Sequence, residues 1–160
     1  EVKNALASYK IEENFLYALM RQESFFVVDA QSWAGALGLC QLMYSTANDF
    51  AKKNKLVIKN KSDLFDAQTN LLLGAHTLFD YTTRLKHPVL GIAAYNAGVS
   101  SVLSWQKKYN AQVTDYFIEQ IPYKETKNYV KKGLGNFWNY SLIYNNSMDQ
   151  TIELKIGPML

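Results

Sequence analysis

The chain has 160 residues, 48 % of them hydrophobic, long enough for one domain that buries roughly two-thirds of its unfolded surface without disulfide staples. Its formal net charge of +3 comes from fifteen lysines and two arginines, Arg21 and Arg84, against fourteen acidic residues. Bidentate base readout leans on arginine, so this balance argues against sequence-specific nucleic-acid binding, while a mild lysine surface suits an anionic polymer.

The opening residues, Glu1-Val2-Lys3-Asn4, lack the pattern of a signal peptide, and a start without Met is expected of a processed product or an excised piece. No apolar run reaches the ~20 residues that span a bilayer. A short segment around residues 2–9 precedes the first strong helix, predicted to begin at the acidic pair Glu12-Glu13. Leu16, Leu19 and Met20 stand seven, four and three residues before Glu23, so a helix stacks all four side chains on one face. Ser24, two aromatics and two valines then end it. Partial desolvation and the negative end of the helix dipole both disfavour a carboxylate at Glu23 and raise its pKa, as a general acid requires. A solvated glutamate ending an ordinary amphipathic helix is the local alternative.

Gly35 and Gly38 interrupt a compact segment in which Cys40, unable to form an intramolecular bridge, reads as a small buried hydrophobe. Ser45 is a candidate N-cap for the next helix, residues 52–62 are basic and loop-like, and Asp63-Leu64-Phe65-Asp66 ends them. Leu71, Leu72, Ala75, Leu78, Phe79 and Thr82 predict the longest, central helix over 67–86. Pro88 suits the first turn of a helix that Gly98 stops. Residues 99–109, 113–120 and 123–144 supply three more, with Pro122 between the last two. Residues 151–156 alone could form a strand. The expected fold is a single all-α domain over 1–160, with 145–160 as a tail of its own.

Gly35–Met43 can either let backbone approach a ligand or make a tight helix contact, and the Gln41 amide suits the hydroxyl and acetamido groups of a sugar. Small residues surround Tyr95 and Asn96 as if space were cleared for two polar groups. Glu125 opens a helix, where capping explains it; Glu119 closes one, where capping does not. His76 and His87 lack partners at metal-binding spacing and read as structural or surface residues, and no cofactor or metal is expected. Of Trp33, Trp105 and Trp138, Trp33 is the best candidate for a sugar groove. Glycoside cleavage usually takes two carboxyl groups, yet only Glu23 has a suitable context.

In this order and spacing, Glu23-Ser24, Gly35-Ala36-Leu37-Gly38-Leu39-Cys40-Gln41-Leu42-Met43, Ala93-Ala94-Tyr95-Asn96-Ala97-Gly98 and Glu119-Gln120-Ile121-Pro122-Tyr123 leading to Tyr129-Val130 resemble the catalytic domain of the soluble lytic transglycosylases. The resemblance covers about residues 14–144. It implies a lysozyme-like fold with the active-site groove between helices. It also implies cleavage of peptidoglycan glycan strands by one glutamate, Glu23, acting as acid and then base, with the sugar's own 6-hydroxyl replacing water and leaving a 1,6-anhydro end. By the same resemblance Tyr95 hydrogen-bonds the catalytic glutamate or the reacting sugar, Gln41 and Met43 line the groove, and Ser32 lies close to the carboxyl. Asn96 binds an acetamido group and Glu119 binds substrate. Cys40 stands where Met is typical and Tyr44-Ser45 where Pro-Gly commonly follows, which bears on groove shape. The family further implies a periplasmic location and a large helical region N-terminal to this domain. A hydrolase of goose-lysozyme type and a non-catalytic peptidoglycan-binding domain are the competing readings.

Overall fold

The computed structural model of the protein describes residue 3 and residues 12–54, 56–110 and 113–145. The expectations for residues 2–9, Lys3 apart, and for a strand at 151–156 fall outside these. The described elements are α1 (Glu13–Glu23), α2 (Tyr44–Lys53), a 3₁₀ turn (Lys61–Phe65), α3 (Ala67–Leu85), α4 (Pro88–Ala97), α5 (Val99–Tyr109), α6 (Thr114–Gln120) and α7 (Lys124–Asn145). Strand-like pairing among the described residues amounts to isolated bridges, those of Leu37 with Gln31 and Leu42 among them. The fold is therefore all-α, and the chain forms two compact units, residues 1–77 and 78–160, with α3 contributing to both.

In the first unit, α1 buries Leu16, Leu19 and Met20, as the periodicity predicts. Ser24 ends the helix by donating both its backbone N–H, at 3.0 Å, and its hydroxyl, at 3.3 Å, to the Met20 carbonyl. Phe25 and Phe26 then take left-handed backbone angles, φ 53° and 66°, a conformation that costs bulky residues on the order of 1–3 kcal/mol. The Arg21 guanidinium sits 4.6 Å from the Phe25 ring centroid, which offsets part of that strain. Ser45 is not the N-cap of α2. Met43 holds that position in extended conformation, with no side-chain cap, and the helix starts at Tyr44.

The second unit is built around α4, whose Val89, Leu90, Gly91, Ile92, Ala93 and Ala94 are all buried. A helix apolar on every side belongs at a centre, and α4 packs on both α5 and α7, while α6 packs on the same two. Among the described residues the longest helix is α7, with 22 residues against 19 in α3, so the greatest length foreseen for 67–86 falls to α7 instead. His87 caps α4. Its Nδ1 accepts from the Val89 N–H at 3.2 Å, so in the neutral ring Nε2 carries the proton and donates to Thr114 Oγ1 at 3.3 Å. This fully internal role fits the structural reading of His87. His76 meets Asn54 Nδ2 at 2.8 Å through Nε2 and the Phe50 ring edge-on at 5.0 Å.

Gly91 lets α4 cross the end of α3 in near backbone contact, because a Cβ there would lie 3.0 Å from both the Thr82 Cα and N. Gly91→Ala is expected to destabilise by about 2–4 kcal/mol. Gly135→Ala in α7, where a Cβ meets nothing within 4 Å, should be neutral or gain up to about 1 kcal/mol. Urea unfolding of the two variants checks the contrast.

Candidate functional site

In the first unit Glu23 is the last residue of α1 and is half-buried, so the helix places the carboxyl just before the strained reversal at Phe25-Phe26. Cys40 is fully buried, and its thiol is pushed up in pKa chiefly by burial and secondly by the charge of Glu23. Glu23 therefore lies near enough to Cys40 for its charge to be felt there, although the two are seventeen residues apart in sequence.

That loop, residues 30–42, has no regular structure and is held by a closed set of hydrogen bonds. Gly38 N donates to Ala30 O at 2.8 Å, and Leu37 and Leu42 exchange backbone bonds at 3.1 and 3.0 Å. The two amide hydrogens of Gln41 go to Ala30 O at 3.0 Å and Gly38 O at 2.9 Å. Ser32 Oγ accepts from Ala36 N at 3.0 Å, which leaves its hydroxyl proton as a donor. Gln41 is thus a brace for the loop: both donors are engaged internally and only Oε1 is left to meet a ligand. Met43 follows, exposed at the N-cap of α2. Trp33, on the same loop, is fully exposed, while Trp105 is buried with Tyr123 edge-on at 5.2 Å.

The loop is fixed to α3 by Asn70, a residue the sequence pattern did not single out. Its side chain is completely buried. Oδ1 accepts from Cys40 N at 2.8 Å, and Nδ2 donates to Leu37 O at 2.9 Å and Leu64 O at 2.8 Å. Gly38 leaves room for it: at φ +74° the glycine conformation is already favoured, and a Cβ would lie 2.8 Å from Asn70 Cγ and overlap the Leu64 carbonyl oxygen. Of the two meanings open for this glycine, the tight internal contact is the one observed. The linear pattern offered little signal, since Asn70 closes the polar run Gln68-Thr69-Asn70 before Leu71-Leu72-Leu73.

In the second unit Tyr95 and Asn96 occupy the last turn of α4, half-buried, before Gly98 ends the helix at φ 83°. The Tyr95 ring meets Tyr81 edge-on at 6.4 Å. Asn96 Oδ1 accepts from the buried Thr126 hydroxyl at 2.6 Å, which turns the amide NH₂ away from Thr126 as a donor. Glu119, near the end of α6, is exposed and pairs with two lysines of α7, Lys131 at 2.5 Å and Lys127 at 3.7 Å. The hydrogen bond and charge of Lys131 lead in holding its carboxyl below the usual range. The first turns of α7 therefore fix both Asn96 and Glu119. Among the described residues no group of three or more His, Cys, Asp or Glu side chains could hold a metal ion.

The family model described as the transglycosylase SLT domain matches residues 2–118. The chain belongs to this family. A Haemophilus influenzae protein assigned as a soluble lytic murein transglycosylase is 35 % identical over 148 residues, covering 91 % of this chain and 25 % of that protein. An inactive mutant of the lytic transglycosylase Slt from Pseudomonas aeruginosa, with one glutamate replaced by glutamine, superposes with a TM-score of 0.85 at 32 % identity, covering 90 % of this chain and 24 % of that one. The soluble lytic transglycosylase Slt70 from Escherichia coli gives a TM-score of 0.86 at 29 % identity, covering 89 % of this chain and 24 % of its own. The chain spans about a quarter of the length of these relatives. These neighbours in the SLT family bear out the expected all-α, lysozyme-like fold.

Asn70→Ala removes the side-chain partner of Cys40 N and Leu64 O and one of the two donors to Leu37 O, and is expected to cost about 3 kcal/mol. The same variant should expose the Cys40 thiol, which in the native protein is expected to resist a thiol reagent near pH ~8; urea unfolding and reagent kinetics read the two effects. Glu119, with its carboxyl pKa lowered, contributes stability that is present above its unfolded pKa and lost as pH falls through the lower folded value. Lys131→Ala should raise that pKa toward the ordinary carboxylate range, with Lys127 keeping part of the lowering, as an NMR titration of the Glu119 side chain would show.

Proposed function

We propose that this chain is the catalytic domain of a peptidoglycan lytic transglycosylase in which Glu23 performs both proton transfers. The glutamate protonates the oxygen bridging N-acetylmuramic acid to N-acetylglucosamine, and the bond to the muramic C1 breaks. The substrate's N-acetyl carbonyl stabilises the cation-like centre. Glu23, now a carboxylate, removes the proton from the muramic 6-hydroxyl, whose oxygen bonds to C1 and closes a 1,6-anhydro ring. The carboxyl ends as it began, and no water is consumed.

The observation that carries this reading is the setting of Glu23: half-buried at the C-terminal end of α1, just before consecutive left-handed residues and near the loop of Cys40 that Gln41 braces. Strain of this kind gathers at functional sites, and the helix end is the electrostatically unfavourable one for an anion, which favours the protonated acid. Membership of the family and the inactive glutamate-to-glutamine mutant of the Pseudomonas relative support the same choice. In this proposal Tyr95 donates to the reacting sugar, the Asn96 amide contacts an acetamido group, and Gln41 Oε1, Ser32 and Met43 contact the glycan. Glu119 contributes to binding through the charge cluster it forms with Lys127 and Lys131. Such a domain would work in the periplasm.

Glu23→Gln keeps the shape of the side chain and removes the transferable proton. Release of soluble fragments from purified peptidoglycan is expected to fall by roughly 10²–10⁴-fold while sedimentation with intact sacculi stays near the wild-type level. Undiminished release by the variant, with its helical content unchanged, would remove Glu23 from the chemistry. A wild-type protein that binds sacculi but releases nothing would make this a binding domain.

A further inference from the structure

The charge of the chain is concentrated in one place. Residues 52–66 hold five lysines, at 52, 53, 55, 59 and 61, against Asp63 and Asp66. This excess of three equals that of the whole chain, so all other residues balance. Lys52, Lys53, Lys59 and Lys61 are exposed, and among the described residues no carboxylate pairs with any of them. Both neighbouring aspartates are turned onto backbone amides. Asp63 Oδ2 accepts from Lys59 N at 2.7 Å and Asn60 N at 3.3 Å, and Asp66 Oδ1 accepts from Thr69 N at 2.8 Å.

Two apolar side chains stand among these lysines without cover. Val57 is 80 % and Leu56 37 % exposed, whereas Ile58 is buried and anchors the turn. The turn is held in this shape: Leu56 N donates to Ala51 O at 2.8 Å, and Asn60 and Asp63 form a reciprocal capping box on the 3₁₀ turn. Display of Val57 therefore does not require the loop to be ordered first.

We propose that the turn between α2 and α3 is a peripheral docking surface for anionic phospholipid, with the lysines meeting phosphate headgroups and Leu56 and Val57 entering the interface. Lysine charge alone would suit any polyanion. Exposed branched apolar side chains in the middle of it gain free energy only from a partner that has an apolar layer beneath its charge. Clusters of this size hold to anionic bilayers by summing modest attractions, reversibly and with strong dependence on salt. The surface concerns placement of the protein, is independent of the chemistry at Glu23, and needs no membrane-crossing helix; none of the described helices is long and apolar enough for one.

The test is co-sedimentation of the purified chain, without peptidoglycan, with vesicles of phosphatidylcholine alone and with vesicles containing phosphatidylglycerol. Binding should appear only with the anionic lipid. Joint replacement Lys59→Gln and Lys61→Gln should weaken it roughly 20-fold, and Val57→Ser about 5-fold. Lys107→Gln with Lys108→Gln, an equal loss of charge on α5, should change it little. Equal binding to neutral vesicles, no binding, or equal loss in the α5 control would overturn the proposal. So would lysine dependence without any effect of Val57→Ser, with soluble polyphosphate competing fully, because that pattern assigns the turn to a polyanion. Circular dichroism of each variant separates loss of the surface from loss of the fold.

Discussion

One buried side-chain amide organises the irregular part of this protein. Asn70 offers one acceptor and two donors from the interior of α3: it meets Cys40 N and Leu64 O, which would otherwise be stranded out of water, and adds a second donor to Leu37 O, which already accepts from Leu42 N. A loop without regular pairing can be buried only if its polar groups are satisfied one by one. Asn70 supplies this from outside the loop and Gln41 from within it, while Gly38 clears the volume that the amide needs. The position of Cys40 follows from that arrangement.

The chemistry attributed to Glu23 rests on the same constraint. A helix end that is unfavourable for an anion, followed by two left-handed phenylalanines, holds a carboxyl group in a defined place but leaves it half-open to a ligand. In the proposed reaction the braced loop would not have to reorganise around the glycan, which is how a site keeps its electrostatic advantage. On the second unit, α7 does comparable work. Thr126 orients the Asn96 amide from one side of the helix, and Lys127 and Lys131 hold Glu119 from another.

The helices were legible in the sequence because each carries its own signal within a few residues: dense apolar spacing in α1 and α3, Pro88 and Gly98 around α4, and Pro122 before α7. Glu23 was legible for the same reason, standing at the end of the clearest apolar stripe. What could not be read was any role that depends on contacts distant in sequence. Asn70 reaches residues thirty or more positions away, and in the linear pattern it is the last of three polar residues, Gln68-Thr69-Asn70, before a run of leucines. Ser45 has the right chemistry for a cap, but Leu42 is pinned to Leu37, Met43 takes the extended conformation, and the helix begins before Ser45 is reached. Glu119 looked functional because no capping role explained it; its lysine partners lie on the next helix, and its ion pairs and its proposed binding role now share one side chain. Gln41 looked like a sugar-binding amide, and the fold engages both of its donors before any ligand is present.

The central claim is that one glutamate completes the reaction without water, and following the oxygen tests it most directly. Peptidoglycan digested by the purified protein in oxygen-18 water should yield new muramic ends with no isotope in them and with the mass of an internal anhydride. Incorporation of the isotope at new reducing ends would show that water attacks the sugar, and would contradict the assignment of the second proton transfer to the 6-hydroxyl through Glu23.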